Sequence, residues 1–161
     1  MSEMTTAEVL GDPVAAELLS STEPARLAYT WTDGTPRVVP IWFEWNGEEL
    51  VFGSPIKAPK VAVLRERPDV AITIDRATQF PYKVLLLRGR AEVREVEGLA
   101  PEYIASASRY FGAEQGEAWV EMVGQLGVQM VRVSVVPQWA RVLDFETRFP
   151  SALAEAMAAA Q

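Results

Sequence analysis

The sequence predicts a mainly β protein with added helices, its strands closed into an antiparallel barrel. Three observations lead there. Short stretches that alternate apolar and polar residues recur from Ala25 onward, as half-buried strands require. Asp33-Gly34 and Asn46-Gly47 each sit between two apolar runs, a strong hairpin signal because both central positions of such turns favour positive φ. Helical patterns are inserted or terminal, so the strands must pair with one another, and closing the sheet removes its exposed edges.

Taken in order, Thr5-Thr6-Ala7-Glu8 forms a capping box. Val9, Val14, Leu18 and Leu19 follow, but Gly11-Asp12-Pro13 interrupts, so one broken or short helix is expected to end near Ser20. Three antiparallel strands come next, at 25–32, 36–45 and 49–53. Pro40, inside the second, cannot donate to a ladder and leaves backbone free to meet a ligand. Pro59 opens a helix that stops before Pro68. Val70 to Ile74 is a strand, Asp75 to Pro81 a loop, and Lys83 to Val93 a long strand buried in its first half. One helix runs from Pro101 to about Phe111, where Gly112 ends it, and another from Glu114 to about Leu126. The last strands are Gln129 to Val135 and Trp139 to Phe145, split by Pro137. The tail from Ser151 to Gln161 is Ala-rich and helical, packed only where a partner surface covers it. The expected division is a single domain over 1–161: an N-terminal helix region 1–24, a core meander 25–95, a helical insertion 99–127, final strands 128–146 and a tail 150–161.

Composition narrows the chemistry. The 161 residues suit one domain, and 49% apolar with 23% charged residues is a globular balance. The chain has no cysteine and no histidine, which removes disulfides, thiol nucleophiles, the Ser-His-Asp triad and the usual zinc and iron sites. The net charge of −7 argues against general nucleic-acid binding. There is no membrane-length apolar run and no leader pattern at the start, so the expectation is a soluble, cytoplasmic domain without nucleic-acid or membrane partners.

Two clusters stand out. Residues 54–95 hold nine Lys or Arg against five Asp or Glu, and Ser54, Lys57 and Lys60 crowd a turn leading into a helix start, where free N–H groups and the helix dipole favour an anion. A hydroxyl, two ammonium groups and backbone donors make a cradle for one phosphate; the same residues also read as two exposed lysines on a loop. Eight of the fifteen aromatics (Tyr29, Trp31, Trp42, Phe43, Trp45, Phe52, Phe80 and Tyr82) lie on or beside the hairpin strands. Beside a phosphate cradle they suit a planar ring with a phosphorylated tail, although a barrel core is itself aromatic. Ser54-Pro55-Ile56-Lys57 matches S-x-x-K, but neither S-D-N nor K-T-G occurs, so a penicillin-binding site is rejected.

The region from Ala25 to Val93 resembles the pyridoxamine 5'-phosphate oxidase-like, FMN-binding split-barrel family of flavin and deazaflavin oxidoreductases. The residues that carry the resemblance are Ala25 to Thr30, Asp33 to Phe43, Trp45 to Phe52, Lys60 with Leu64, Pro68 to Ala71, and Leu87 to Val93. It implies a six-stranded antiparallel split β-barrel that forms a homodimer, with a cofactor in each groove between protomers. It places Arg37, Val38, Val39, Pro40, Ile41 and Trp42 along the ring of FMN, Ser54, Lys57 and Lys60 at its phosphate, and Tyr82 toward the neighbouring subunit's cofactor. Two departures are visible. Ala58-Pro59-Lys60 stands where many members carry adjacent basic residues, and the His and Arg that hold substrate phosphate in true pyridoxamine phosphate oxidases have no counterpart beyond a solitary Arg141. The implied function is an FMN-dependent oxidoreductase passing hydride to or from a small planar or unsaturated substrate. The alternatives are a reductase using the deazaflavin coenzyme F-420 and a non-catalytic flavin-binding or storage protein.

Overall fold

The computed structural model describes residues 4–160; the parts of the terminal expectations that fall on residues 1–3 and 161 lie outside them. The elements are α1 (Thr6–Leu10), α2 (Pro13–Leu19), β1 (Ala25–Thr30), β2 (Pro36–Ile41), β3 (Glu44–Trp45), β4 (Leu50–Pro55), α3 (Pro59–Glu66), β5 (Asp69–Arg76), β6 (Lys83–Glu95), α4 (Pro101–Phe111), α5 (Ala113–Gln125), β7 (Met130–Leu143) and α6 (Ser151–Ala159). The capping box forms: the Glu8 carboxylate accepts from Thr5 N at 2.7 Å, and Thr5 Oγ1 from Glu8 N at 3.3 Å. The expected break comes where Asp12 caps a second helix, accepting from Val14 N at 2.8 Å.

The strands form one antiparallel sheet in the order β2-β1-β5-β6-β7-β4-β3. Its two ends, β2 and β3, are consecutive in the chain and separated only by Trp42 and Phe43. The sheet therefore curls back on itself as a split barrel around a core that includes Leu27, Phe43, Phe52, Ile72, Leu85 and Val133. It has seven strands rather than six, because the expected strand 36–45 is broken in two. Pro36 and Pro40 leave β2 with two donors fewer, so it serves β1 alone at a sheet edge. The chain then crosses to the opposite edge: Phe43 enters the core, and its carbonyl accepts from the Arg109 guanidinium of α4 instead of a neighbouring strand.

Two local expectations change. Gly34 and Gly47 take positive φ, but Asp33 and Asn46 do not. Instead their side chains close the turns, Asp33 Oδ1 accepting from Thr35 N at 2.9 Å and Asn46 Oδ1 from Glu49 N at 2.8 Å. The final two strands are one, β7, because a bulge absorbs Pro137. The β6–β7 register slips between Arg88 and Gly89, so Pro137 faces Gly89. Glycine is required there: a Cβ on Gly89 would lie 2.7 Å from Val136 O and 2.8 Å from Val135 Cγ1. Helix α6 forms, and all of it is exposed. Replacing Gly89 by Ala is expected to lower stability by about 2 kcal/mol, read as a lower urea midpoint at unchanged m-value.

Candidate cofactor cleft

The break in β2–β3 leaves a gap. Strand β4 pairs with β7 along its whole length but with β3 only at Leu50 and Val51. Beyond that point its free edge and the end of β2 flank a cleft of about 510 Å³, roofed by α4 and α5. The barrel side supplies Pro40, Ile41, Trp42, Gly53, Ser54 and Lys60. Tyr103 of α4 lies directly on the strand at Gly53, where an added Cβ would meet its ring at 2.6 Å. Trp119 of α5 donates from Nε1 to the Tyr103 hydroxyl at 2.9 Å, and its ring stands 5.8 Å from that of Trp42. Met122, Val123 and Leu126 continue this apolar wall.

The cleft carries two unpaired polar groups. Ser54 is 1% exposed, and its hydroxyl has no hydrogen-bond partner among the described residues. Lys60, the second residue of α3, is half-buried and has no ion-pair partner among the described residues. Burial holds its ammonium below the ordinary lysine range. Helix α3 has no side-chain cap at its start. An orphaned buried hydroxyl beside an uncompensated cation and an uncapped helix start is a donor set for an anion, and the adjoining aromatic wall suits a planar ring. These residues fit a phosphorylated flavin-type group.

Five sequence-predicted site residues line this cleft (Pro40, Ile41, Trp42, Ser54 and Lys60), and five lie outside it. Arg37 is exposed, 3.6 Å from Asp33 and over the Trp31 ring. Val38 is 64% exposed, while Val39 packs against the core. Lys57 is exposed on the turn before α3. Tyr82 joins Phe80 and Phe145 on a separate aromatic cluster. Of the eight aromatics singled out above, only Trp42 reaches the cleft; Tyr29, Phe43 and Phe52 are core. The basic island is largely consumed by ion pairs: Arg65–Glu95, Arg76–Glu17, Lys83–Glu17, Arg90–Asp69 and Arg94–Glu92. Tyr103 and the α5 wall were not among the expected site residues. Their signal was the helical spacing of Trp119, Met122, Val123 and Leu126, which marks one face of α5.

The family model for pyridoxamine 5'-phosphate oxidase matches residues 12–137. The chain belongs to this family. None of the curated proteins matches it in sequence. Among solved structures it is similar to the conserved hypothetical protein Rv2991 of Mycobacterium tuberculosis, at 21% identity and TM-score 0.69, covering 89% of this chain and 87% of that one. It is similar to an F420 reductase at 25% identity and TM-score 0.61, covering 77% and 93%. A further match is HutZ, the heme storage protein of Vibrio cholerae, at 21% identity and TM-score 0.60, covering 88% and 95%. These likenesses show that the split-barrel fold is shared with an F420 reductase and with a heme storage protein.

The roof of the cleft is fastened electrostatically. Arg132 of β7 donates to Glu102 of α4 at 2.7 Å and to Glu49 at 2.7 Å, all three largely buried. The guanidinium holds both carboxyls below their usual range. Folded-state values below the unfolded value of 4.5 mean that this stabilisation is complete above that pH and is lost as pH falls through the depressed values. Replacing Arg132 by Met leaves two partly buried carboxylates unpaired. It is expected to cost about 2 kcal/mol at neutral pH and to flatten the acid-dependent loss of stability, measured by urea denaturation across the acid range.

Proposed function

We propose that the cleft binds a flavin-type redox cofactor, FMN in the first reading, and that the protein is an oxidoreductase acting on a small planar or unsaturated substrate. The observation that carries this reading is the juxtaposition of the unpartnered Ser54 hydroxyl and the Lys60 ammonium with the aromatic wall of Trp42, Tyr103 and Trp119. When bound, such a cofactor supplies hydride transfer. The chain's own part is to hold, orient and shield. Ser54, Lys60 and the start of α3 grip the phosphate; Pro40 to Trp42 line the ring; α5 excludes water from above. With no histidine or cysteine, the cleft has few proton-bearing groups, and the Tyr103 hydroxyl, accepting from Trp119, donates to no acceptor among the described residues.

The likeness to an F420 reductase favours a second reading, in which the deazaflavin F-420 occupies the same cleft. Absorbance after reconstitution separates the two: bands at about 375 and 450 nm for FMN, against one at about 420 nm for F-420. The protein is further proposed to act as a homodimer. Its support is the outer edge of β2 with Val38 exposed, a surface from which a second copy would gain apolar contact. In that arrangement Arg37, Lys57 and Tyr82 act from the subunit boundary rather than from within the cleft.

Replacing Lys60 by Ala is expected to weaken cofactor binding about tenfold, and Ser54 by Ala by several-fold, whereas replacing Lys57 by Ala changes it by less than about twofold. Titration of flavin fluorescence measures this, and an unaltered Kd for the Lys60 variant would remove the phosphate-grip argument. Light scattering on the purified protein is expected to give twice the chain mass; a monomer would sink the dimer proposal.

A further inference from the structure

The cleft holds a hydrogen-bond donor that the phosphate grip does not use. An indole N–H can only donate, so in the 2.9 Å contact between Trp119 Nε1 and the Tyr103 hydroxyl the phenol oxygen is the acceptor. The phenol's own proton then has no acceptor among the described residues. The ring is held in place, because it lies against β4 at Gly53, where an added Cβ would meet it at 2.6 Å. Successive residues of a strand face opposite ways, so Tyr103, seated on Gly53, stands across β4 from the Ser54 hydroxyl. The α5 side of the cleft is apolar, and Met122, Leu126 and Val128 remain exposed along it. Among the described residues that line the cleft, Lys60 alone is charged.

We infer that the Tyr103 hydroxyl holds the substrate of this cleft by a carbonyl oxygen, and that the substrate is an apolar, conjugated carbonyl compound. The inference rests on the oxidoreductase reading above and names the substrate class for it. A free O–H calls for an acceptor, and a carbonyl supplies one without bringing a charge. Lys60 is committed to the cofactor's anion under that reading, so a carboxylate or phosphate on the substrate would enter an apolar chamber uncompensated. Donation from Trp119 polarises the phenol O–H and strengthens it as a donor. Its bond to a carbonyl draws electron density toward the oxygen and leaves the conjugated carbon more electrophilic, the property that a hydride acceptor needs. The exposed apolar side chains of α5 give the hydrocarbon body of such a compound a surface to pack on.

Calorimetric titration of the full chain with 1-indanone and with indane, its carbonyl-free counterpart, tests this. Tyr103→Phe keeps the ring against Gly53 and removes only the hydroxyl. It should weaken 1-indanone about fivefold or more while changing indane by less than about twofold. On the unmodified protein, the carbonyl stretch of bound 1-indanone should fall below its frequency in an apolar solvent, a reading that needs no variant to fold, and Tyr103→Phe should remove the shift. Failure of 1-indanone to bind at millimolar concentration, an equal effect of the substitution on both ligands, an unchanged affinity for the ketone, or an unshifted carbonyl stretch would each overturn the assignment. Flavin titration of the same two proteins keeps this inference apart from the cofactor reading. FMN affinity should change by less than about twofold in Tyr103→Phe, and a loss matching that of the ketone would assign the hydroxyl to the cofactor and overturn the inference. A protein that shows the ketone effect but takes up no FMN would instead sink the cofactor reading and leave the Tyr103 contact standing.

Discussion

The structure depends on one backbone constraint: the chain cannot continue β2 across to β4 and must step from one end of the sheet to the other through Trp42 and Phe43. Two prolines leave β2 unable to serve ladders on both sides, and the Phe43 carbonyl is satisfied by Arg109 rather than by a strand. A sheet that curls fully round but fails to join at this point has a slot in its wall. Ser54 and Lys60 line that slot on one side and Trp42 on the other, and the aromatic faces of α4 and α5 close over it.

Much of the architecture could be read from the amino-acid order, because its local signals agreed with one another. Thr5 and Glu8 capped a helix, Pro59 opened one, and Gly34 and Gly47 turned hairpins. The errors arose where long-range geometry overrode local pattern. Pro137 looked like a strand boundary, yet a glycine 48 positions earlier lets the partner strand bulge around it. The apolar run through Trp42 and Phe43 looked like one strand, and only the position of α4 shows why it is two.

The candidate site was half legible for a similar reason. Ser54 and Lys60 belong to a local motif, a turn running into a helix start, and such motifs survive translation into three dimensions. Apart from Trp42, the aromatic wall does not belong to the hairpins that seemed richest in rings. Those rings face inward and build the core, while the cleft takes its wall from a helix pair more than 45 residues further along the chain. The charge excess between residues 54 and 95 misled in another way. Charges close in sequence are matched by acids distant in sequence, Glu17 receiving both Arg76 and Lys83, so the surplus that reaches the cleft is a single lysine.

The contact of Tyr103 with Gly53 has a broader consequence. It seats α4 on the barrel so closely that no side chain fits between them, and Arg132 anchors the same helix through Glu102. Helix α5 has a looser attachment, resting on α4 and facing the cleft with Met122 and Leu126 still substantially exposed. One wall of the chamber is thus welded to the fold and the other is an interchangeable panel. Divergence can rewrite the panel while the corner of Ser54 and Lys60 and the barrel behind it stay as they are.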